Sequence, residues 1–261
     1  MNKLLFLIDF LMKEKNYKYD ENLNNAIKEK NEAELYNYFR YLMNIRSPND
    51  ISEEYLNIED EYLEERLKNK IVTNIDDINP IRNNLYIWQG DITTLKIDAI
   101  VNAANSAMLG CFMPLHKCID NAIHSASGTR LRLYCNKIMK GNFFETGKCL
   151  ITPAFNLPSK YILHTVGPII QNEVSKNDEE LLYNCYKSCL ETAKNNDIKS
   201  IAFCCISTGE FRFPNELAAS IAVKAVKDFL YNTKYDIKIV FNVFKDLDYK
   251  LYNNILNNQE A

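Results

Sequence analysis

The sequence lacks several features that would assign it to a common functional class. None of its apolar runs approaches the ~20 residues needed to cross a membrane. It contains neither the G-x-G-x-x-G pattern of nicotinamide-dependent dehydrogenases nor the G-K-[ST] phosphate loop of ATPases. Its net charge is -3, so the chain as a whole lacks the excess of basic residues that is typical of nucleic-acid-binding proteins. We therefore expect a protein that acts on neither a membrane nor a nucleic acid.

Glycine is scarce, with seven residues in 261, and none lies in the first 80 positions. That part shows apolar residues at helical spacing, which predicts a small helical N-terminal domain. Its opening segment has apolar residues at positions 4, 5, 8, 11 and 12, is interrupted by Asp9 and lacks a small-residue cleavage site. We therefore expect a buried first helix rather than a signal peptide. Pro80 marks the boundary between residues 1–80 and a second domain over residues 81–261.

Strand-like and helical segments alternate in the second domain, which predicts an α/β fold in three layers with a mixed or parallel sheet between helices. We expect strands at residues 85–89, 99–102, 149–152, 161–166, 201–206 and 237–241. We expect helices at residues 119–137, 179–195 and 215–231. Asn177, with Glu180 three residues later, is predicted to cap the second of these helices.

The eight cysteines are too irregularly spaced to indicate the disulfide framework of a secreted protein, so a reducing cytoplasm fits better. Most are expected to pack as small apolar residues, as for Cys185 and Cys189 one helical turn apart. Cys111 and Cys118 differ because His116 lies between them at C-x4-H-x-C spacing.

We call residues 110–118 the ligand loop. Two thiols and an imidazole suit zinc. His116 and Cys118 are two residues apart, so they converge on one ion only from a loop or extended segment, which Pro114 favours. A structural zinc usually takes four protein ligands, whereas this loop supplies three. The fourth coordination position of the zinc is thus left open, which indicates a catalytic role more than a structural one.

Three further segments follow predicted strands, where ligands gather in α/β sheets. Gly209, in the turn after residues 201–206, lets backbone amides converge on a diphosphate, although such turns are more often simple connections. Asp91 either caps a turn or accepts a hydrogen bond from an adenine amine, and capping is favoured. Asn105 either positions a ribose or closes an Asx turn, and the turn is favoured.

Taken together and in order, these motifs resemble the macrodomain family of ADP-ribose-binding modules over roughly residues 83–245. The ligand loop stands where ordinary macrodomains carry a run of glycines, which is similar to the zinc-dependent macrodomains that hydrolyse ADP-ribosyl groups from proteins and often carry a helical N-terminal extension. The matching segments are Gly90-Asp-Ile-Thr93, Val101-Asn-Ala-Ala-Asn105, Ile119-Asp-Asn-Ala-Ile-His124, His164-Thr-Val-Gly-Pro168 and Ser207-Thr-Gly209.

The resemblance implies a role for each matching residue. Asp91 and Ile92 would bind adenine, and Asn105 would face the distal ribose. The segment Ser207, Thr208, Gly209, Glu210 and Phe211 would surround the diphosphate and that ribose. Cys111, His116 and Cys118 would hold Zn²⁺, with Cys118 also beside the substrate. Asp120 would act with Asn105 in catalysis, as an acid/base or ribose-orienting group, whereas His124 is expected to pack in its helix.

The implied activity is zinc-dependent removal of mono-ADP-ribose from a modified protein. Two alternatives remain open: a module that binds ADP-ribose around a structural zinc, and a hydrolase of small ADP-ribose derivatives. We also expect the N-terminal domain to dock on the macrodomain and to help recognise the modified protein, because it is rich in aromatic residues such as Tyr36, Tyr38 and Phe39.

Overall fold

The computed structural model describes residues 2–258. The N-terminal region forms four helices: α1 (Lys3–Glu14), α2 (Glu21–Lys28), α3 (Glu32–Ile45) and α4 (Glu53–Lys68). Each begins at a polar side chain that accepts a hydrogen bond from a backbone N–H of the first turn, namely Asn2, Asp20, Asn31 and Ser52. The helices share their own apolar core. The buried first helix is confirmed, with its inward face formed by Leu4, Leu7, Ile8, Leu11 and Met12.

The second region is built on a six-stranded sheet in the order β2-β8-β7-β4-β6-β5. Its strands are β2 (Leu85–Gln89), β4 (Ala99–Ala103), β5 (Cys149–Pro153), β6 (Tyr161–Thr165), β7 (Ser200–Phe203) and β8 (Lys238–Val243). All neighbouring strands are parallel except the edge pair β5 and β6. A separate parallel pair joins β1 (Thr73–Asn74) to β3 (Leu95–Lys96). The predicted mixed sheet is confirmed.

Five helices cover this sheet: α5 (Ile119–Ser127), α6 (Thr129–Met139), α7 (Lys176–Asn195), α8 (Asn215–Thr233) and α9 (Asp246–Asn258). Helices α7, α8 and α9 pack side by side, whereas α5 and α6 contact β4 and β5. The predicted three-layer arrangement, with the sheet between helices, is therefore confirmed. Within residues 2–258, no helix is both long enough and apolar enough to cross a membrane.

Three local predictions were wrong. The helix predicted over residues 119–137 is broken at Gly128, whose φ of 92° lies in the left-handed region that favours glycine. Helix α7 is capped by Ser175 and Asp178 rather than by Asn177 and Glu180, because the capping box forms two residues earlier. The strand predicted over residues 201–206 ends at Phe203, where the chain leaves the sheet for a turn.

The N-terminal helices dock on the sheet domain through a buried carboxylate. Glu59 of α4 accepts hydrogen bonds from the Thr129 backbone N–H at 2.7 Å and the Thr129 hydroxyl at 2.8 Å. Helix α6 has Gly128 at its N-cap and therefore no side-chain cap of its own, so Glu59 supplies that cap from another part of the chain. Docking of the two regions is thus an observed feature of the fold.

Burial raises the pKa of Glu59 to about 7, although the hydrogen bonds from Thr129 and Tyr55 oppose the shift. A carboxyl whose folded pKa is raised stabilises the fold fully below its unfolded pKa of about 4.5, and this stability is lost as pH rises through 7. We therefore expect the stability of the wild type, relative to Glu59→Gln, to fall by on the order of 3 kcal/mol between pH 4.5 and pH 8. Urea unfolding of both proteins at several pH values measures this difference, and parallel pH profiles would contradict it.

Candidate active site

The predicted site residues meet at one edge of the sheet. Strands β2, β4, β6 and β7 run parallel, so their carboxyl ends lie at the same edge. Asp91 follows β2, Asn105 follows β4, Gly167 follows β6 and Ser207 follows β7. The ligand loop connects Asn105 to the start of α5 at that edge.

The ligand loop brings its three predicted ligands together. One ligand atom each from Cys111, His116 and Cys118 lies within 4.8 Å of the others, and Cys111 Sγ is 3.6 Å from His116 Nδ1. The separation of 3.6 Å matches the edge of a tetrahedron with metal bonds of about 2.0–2.3 Å. All three side chains are half-buried. Two sulfurs and one nitrogen at these distances fit Zn²⁺.

Cys118 is also the N-cap of α5, where its Sγ accepts a hydrogen bond from the Asn121 backbone N–H at 3.4 Å. Burial, together with the nearby negative charges of Cys111 and Asp120, raises the pKa of this thiol to about 12. Metal ions bind the thiolate, so metal binding at this site releases the thiol proton.

The ligand loop faces the turn after β7 through one polar contact. His116 Nε2 lies 3.4 Å from Glu210 Oε1, while Nδ1 of the same ring points to Cys111. A carboxylate on the second nitrogen fixes the orientation of a metal-binding imidazole. Glu210, predicted to contact the substrate, is thus placed beside a predicted metal ligand.

Asp120 is buried in the first turn of α5 and is held by two amides. Its Oδ1 accepts from Asn102 Nδ2 at 2.8 Å, and its Oδ2 accepts from Asn105 Nδ2 at 3.2 Å. Burial raises its pKa to about 6, while Asn102 and the Arg132 charge oppose that shift. Nearby His124 is also buried, with Nε2 3.6 Å from Asp120 Oδ1, which agrees with its expected packing in the helix.

Asn105 and Asp91 make the local contacts that the sequence favoured. Asn105 Oδ1 accepts from the Ala107 backbone N–H, closing an Asx turn, and its Nδ2 also donates to the Gly110 carbonyl. Asp91 accepts from the Thr93 backbone N–H and hydroxyl, so it caps a short 3-10 helix. The Ile92 side chain is buried in the core, which leaves its main chain as the part able to reach a ligand.

The turn after β7 is compact and leaves free space beside Gly209. Ser207 has a left-handed φ of 63°, and its carbonyl accepts from the Phe213 backbone N–H at 2.9 Å. A Cβ added to Gly209 would meet no atom within 4 Å, which leaves room beside the backbone for a ligand. Phe211 is half-buried, and its carbonyl accepts from the Ile170 N–H. Thr208 donates its hydroxyl proton to the Cys205 carbonyl.

Gly167 approaches this turn closely from β6. A Cβ added there would lie 2.0 Å from Ser207 Oγ and 2.9 Å from Ile206 Cγ2, so a larger residue would displace the turn. Arg212, in the same turn, is exposed and has a left-handed φ of 59°.

Comparison with known proteins supports the assignment of family. Residues 101–222 match the family model described as Macro domain. A protein of Treponema medium named protein-ADP-ribose hydrolase is 48% identical over 258 residues, which cover 97% of each chain. A protein of the same name from Staphylococcus aureus (strain MSSA476) is 48% identical over 86% of this chain and 85% of its own.

The chain belongs to the macro domain family.

Solved macro domain structures agree with this assignment. The Trypanosoma brucei macrodomain in complex with ADP-ribose has a TM-score of 0.66 and 29% identity, covering 80% of this chain and 92% of its own. A mutant Oceanobacillus iheyensis macrodomain with ADPR has a TM-score of 0.62 and 38% identity, covering 69% of this chain and 96% of its own.

The macro domain site contains buried polar residues to which the sequence interpretation gave no role. Asn102 Nδ2 contacts both Asp120 and His164 Nδ1, the latter at 3.1 Å, and His164 Nε2 lies 3.0 Å from the Thr152 hydroxyl. Burial lowers the pKa of His164 to about 3, so the ring is neutral at physiological pH. The sequence offered one signal for this network: Asn102 is a polar residue within the otherwise apolar strand β4, and a buried amide needs hydrogen-bond partners.

Proposed function

We propose that the chain is a zinc-dependent hydrolase that removes mono-ADP-ribose from modified proteins. The observation that carries this proposal is the position of the Cys111, His116 and Cys118 cluster, between Asn105 and Asp120 and opposite the turn that contains Glu210. The names of the relatives from Treponema medium and Staphylococcus aureus support hydrolysis, and the ADP-ribose complex of the Trypanosoma brucei macrodomain supports this ligand.

The reaction breaks the bond between the anomeric carbon of the distal ribose and an oxygen of the carrier protein. Water supplies hydroxyl to that carbon and a proton to the leaving oxygen, so the products are ADP-ribose and the unmodified side chain. Positive charge develops on the sugar and negative charge on the leaving oxygen. Zinc held by Cys111, His116 and Cys118 would supply a Lewis acid where negative charge develops.

The remaining residues bind and orient the substrate in this proposal. Asn105 faces the distal ribose, and Asp120, fixed by Asn102 and Asn105, orients the ribose or exchanges a proton near neutral pH. The open space at Gly209 accommodates the diphosphate against backbone N–H groups of the turn. The other proposed contacts are Asp91 and Ile92 to adenine, Ser207 and Thr208 to the diphosphate, and Glu210, Phe211 and Cys118 to the ribose region.

Release of free ADP-ribose from a mono-ADP-ribosylated carrier protein tests this function. We expect turnover by the full chain, at least a ~10-fold loss after a zinc chelator and dialysis, and recovery when zinc is restored. Binding of ADP-ribose without release would instead identify a binding module with a structural zinc. Turnover that is indifferent to zinc removal would refute the metal-dependent mechanism.

A parallel assay separates protein substrates from small ones. The phosphate and acetyl esters of ADP-ribose contain the same sugar without a carrier protein. We expect kcat/KM to be higher on the modified protein, because the N-terminal helices border the ligand loop and add surface for a carrier. A higher kcat/KM on the small esters would favour a metabolite hydrolase.

A further inference from the structure

The ligand loop depends on distant side chains for its shape. It contains no helix or strand, and side chains from outside it bind several of its backbone groups. Arg40 Nη2 donates to the His116 carbonyl at 2.7 Å, and Asn44 Oδ1 accepts from the Leu115 N–H at 2.9 Å. Both residues belong to α3, so the N-terminal region contacts the backbone beside a predicted metal ligand.

Arg40 contacts one predicted metal ligand directly and a second one through Asn121. The direct contact is its hydrogen bond to the His116 carbonyl. Asn121 Oδ1 accepts from Arg40 Nη2 at 2.6 Å and from Nε at 3.2 Å, and the Asn121 backbone N–H donates to Cys118 Sγ. Asn121 Nδ2 also donates to the Met113 carbonyl. The guanidinium of Arg40 is thus bonded to His116 directly and linked to Cys118 by way of Asn121.

The backbone of the ligand loop is strained where α3 holds it. Leu115 has a left-handed φ of 54°, a conformation that is unfavourable for a residue with a branched apolar side chain. The acceptor on its N–H is Asn44, which is buried and also donates to the Ser125 hydroxyl. Such a conformation persists only where surrounding contacts maintain it, and here α3 provides them.

We propose that Arg40 is a positioning residue for the metal site: helix α3 holds the ligand loop so that His116 and Cys118 converge before metal binds. This rests on the proposed metal-dependent function. Other contacts dock the N-terminal region independently, because Glu59 binds Thr129, and Arg130 of α6 pairs with Asp60 of α4 at 2.7 Å. Loss of Arg40 therefore loosens the loop without detaching the helices.

Zinc affinity of the full chain measures this role without any substrate. Competition with a chromophoric chelator is expected to show at least a ~10-fold weaker zinc complex for Arg40→Met, since loss of a group that orients a ligand costs about 10–100-fold in metal affinity. Arg40→Lys should recover part of the loss, because an ammonium reaches the His116 carbonyl but cannot form the fork to Asn121. The matched control Arg130→Met breaks a contact between the same two regions whose partners, Asp60, Glu53 and Asn57, all lie outside the ligand loop, and it should bind zinc as the wild type does.

The outcomes separate this proposal from the proposed function. Wild-type zinc affinity in Arg40→Met, or an equal loss in Arg130→Met, would overturn the positioning role. A wild type that binds no zinc would overturn both the role and the metal site. If the wild type binds zinc, Arg40→Met weakens it and no ADP-ribose is released from modified protein, then the positioning role stands and the proposed hydrolysis fails.

Discussion

Replacing Cys111 with alanine is expected to reduce the bound zinc from about one per chain to nearly none and to slow ADP-ribose release by about 100-fold or more. The three candidate ligands lie within 4.8 Å of one another, so the loss of the Cys111 thiolate leaves only Cys118 and His116 to hold a metal. Without the metal, the negative charge that develops on the leaving oxygen loses its proposed stabilisation. Elemental analysis and product release by the same purified protein measure the two effects.

ADP-ribose affinity should change much less in this variant, because the turn around Gly209 and the side chains of Asp91 and Asn105 are unaltered. Cys149→Ala is the matched control: Cys149 is half-buried on the edge strand β5, outside the ligand loop, and should retain zinc and turnover. Loss of zinc in Cys111→Ala with unchanged turnover would show that the metal is structural.

Much of the fold was predictable because it follows from local patterns. Strands β2, β5 and β6 appear as apolar runs whose predicted bounds agree with the structure to within a residue. The break between α5 and α6 was not predictable in this way. It depends on Gly128 at a left-handed φ and on Glu59, which lies 70 residues before Thr129 and caps α6 only after the helical region docks.

The same distinction applies to the site. Cys111, His116 and Cys118 could be predicted as a cluster because their spacing in the sequence is short, and Asp120 because it follows them directly. The residues that support this cluster lie far away in the chain. Arg40 contacts Asn121 across 81 positions, and no spacing rule connects them. Local sequence thus indicates which side chains could bind a metal, whereas the tertiary fold determines what holds them in place.

Arg132 is a buried charge at the junction of the two regions. Its Nη1 donates to the carbonyls of Met43, Asn44 and Arg46 at 2.6–3.1 Å, and its Nε donates to the Leu109 carbonyl at 2.7 Å. Three of these acceptors lie at the C-terminal end of α3, the negative end of its dipole. Burial lowers the pKa of this guanidinium to about 10, so it remains charged at neutral pH.

We expect Arg132→Met to lower the free energy of unfolding by about 3–5 kcal/mol, since the change removes the guanidinium donor from four carbonyls and removes a positive charge that favours ionised Asp120. Of these carbonyls, that of Met43 retains a hydrogen bond from the Arg46 N–H at 3.3 Å. Arg130→Met, two residues away, breaks partly exposed ion pairs to Asp60 and Glu53 and should cost no more than about 1 kcal/mol. Urea unfolding of the two variants beside the wild type measures both costs. Equal losses in the two variants would show that the buried carbonyls find other partners, and the assigned role of Arg132 would then be wrong.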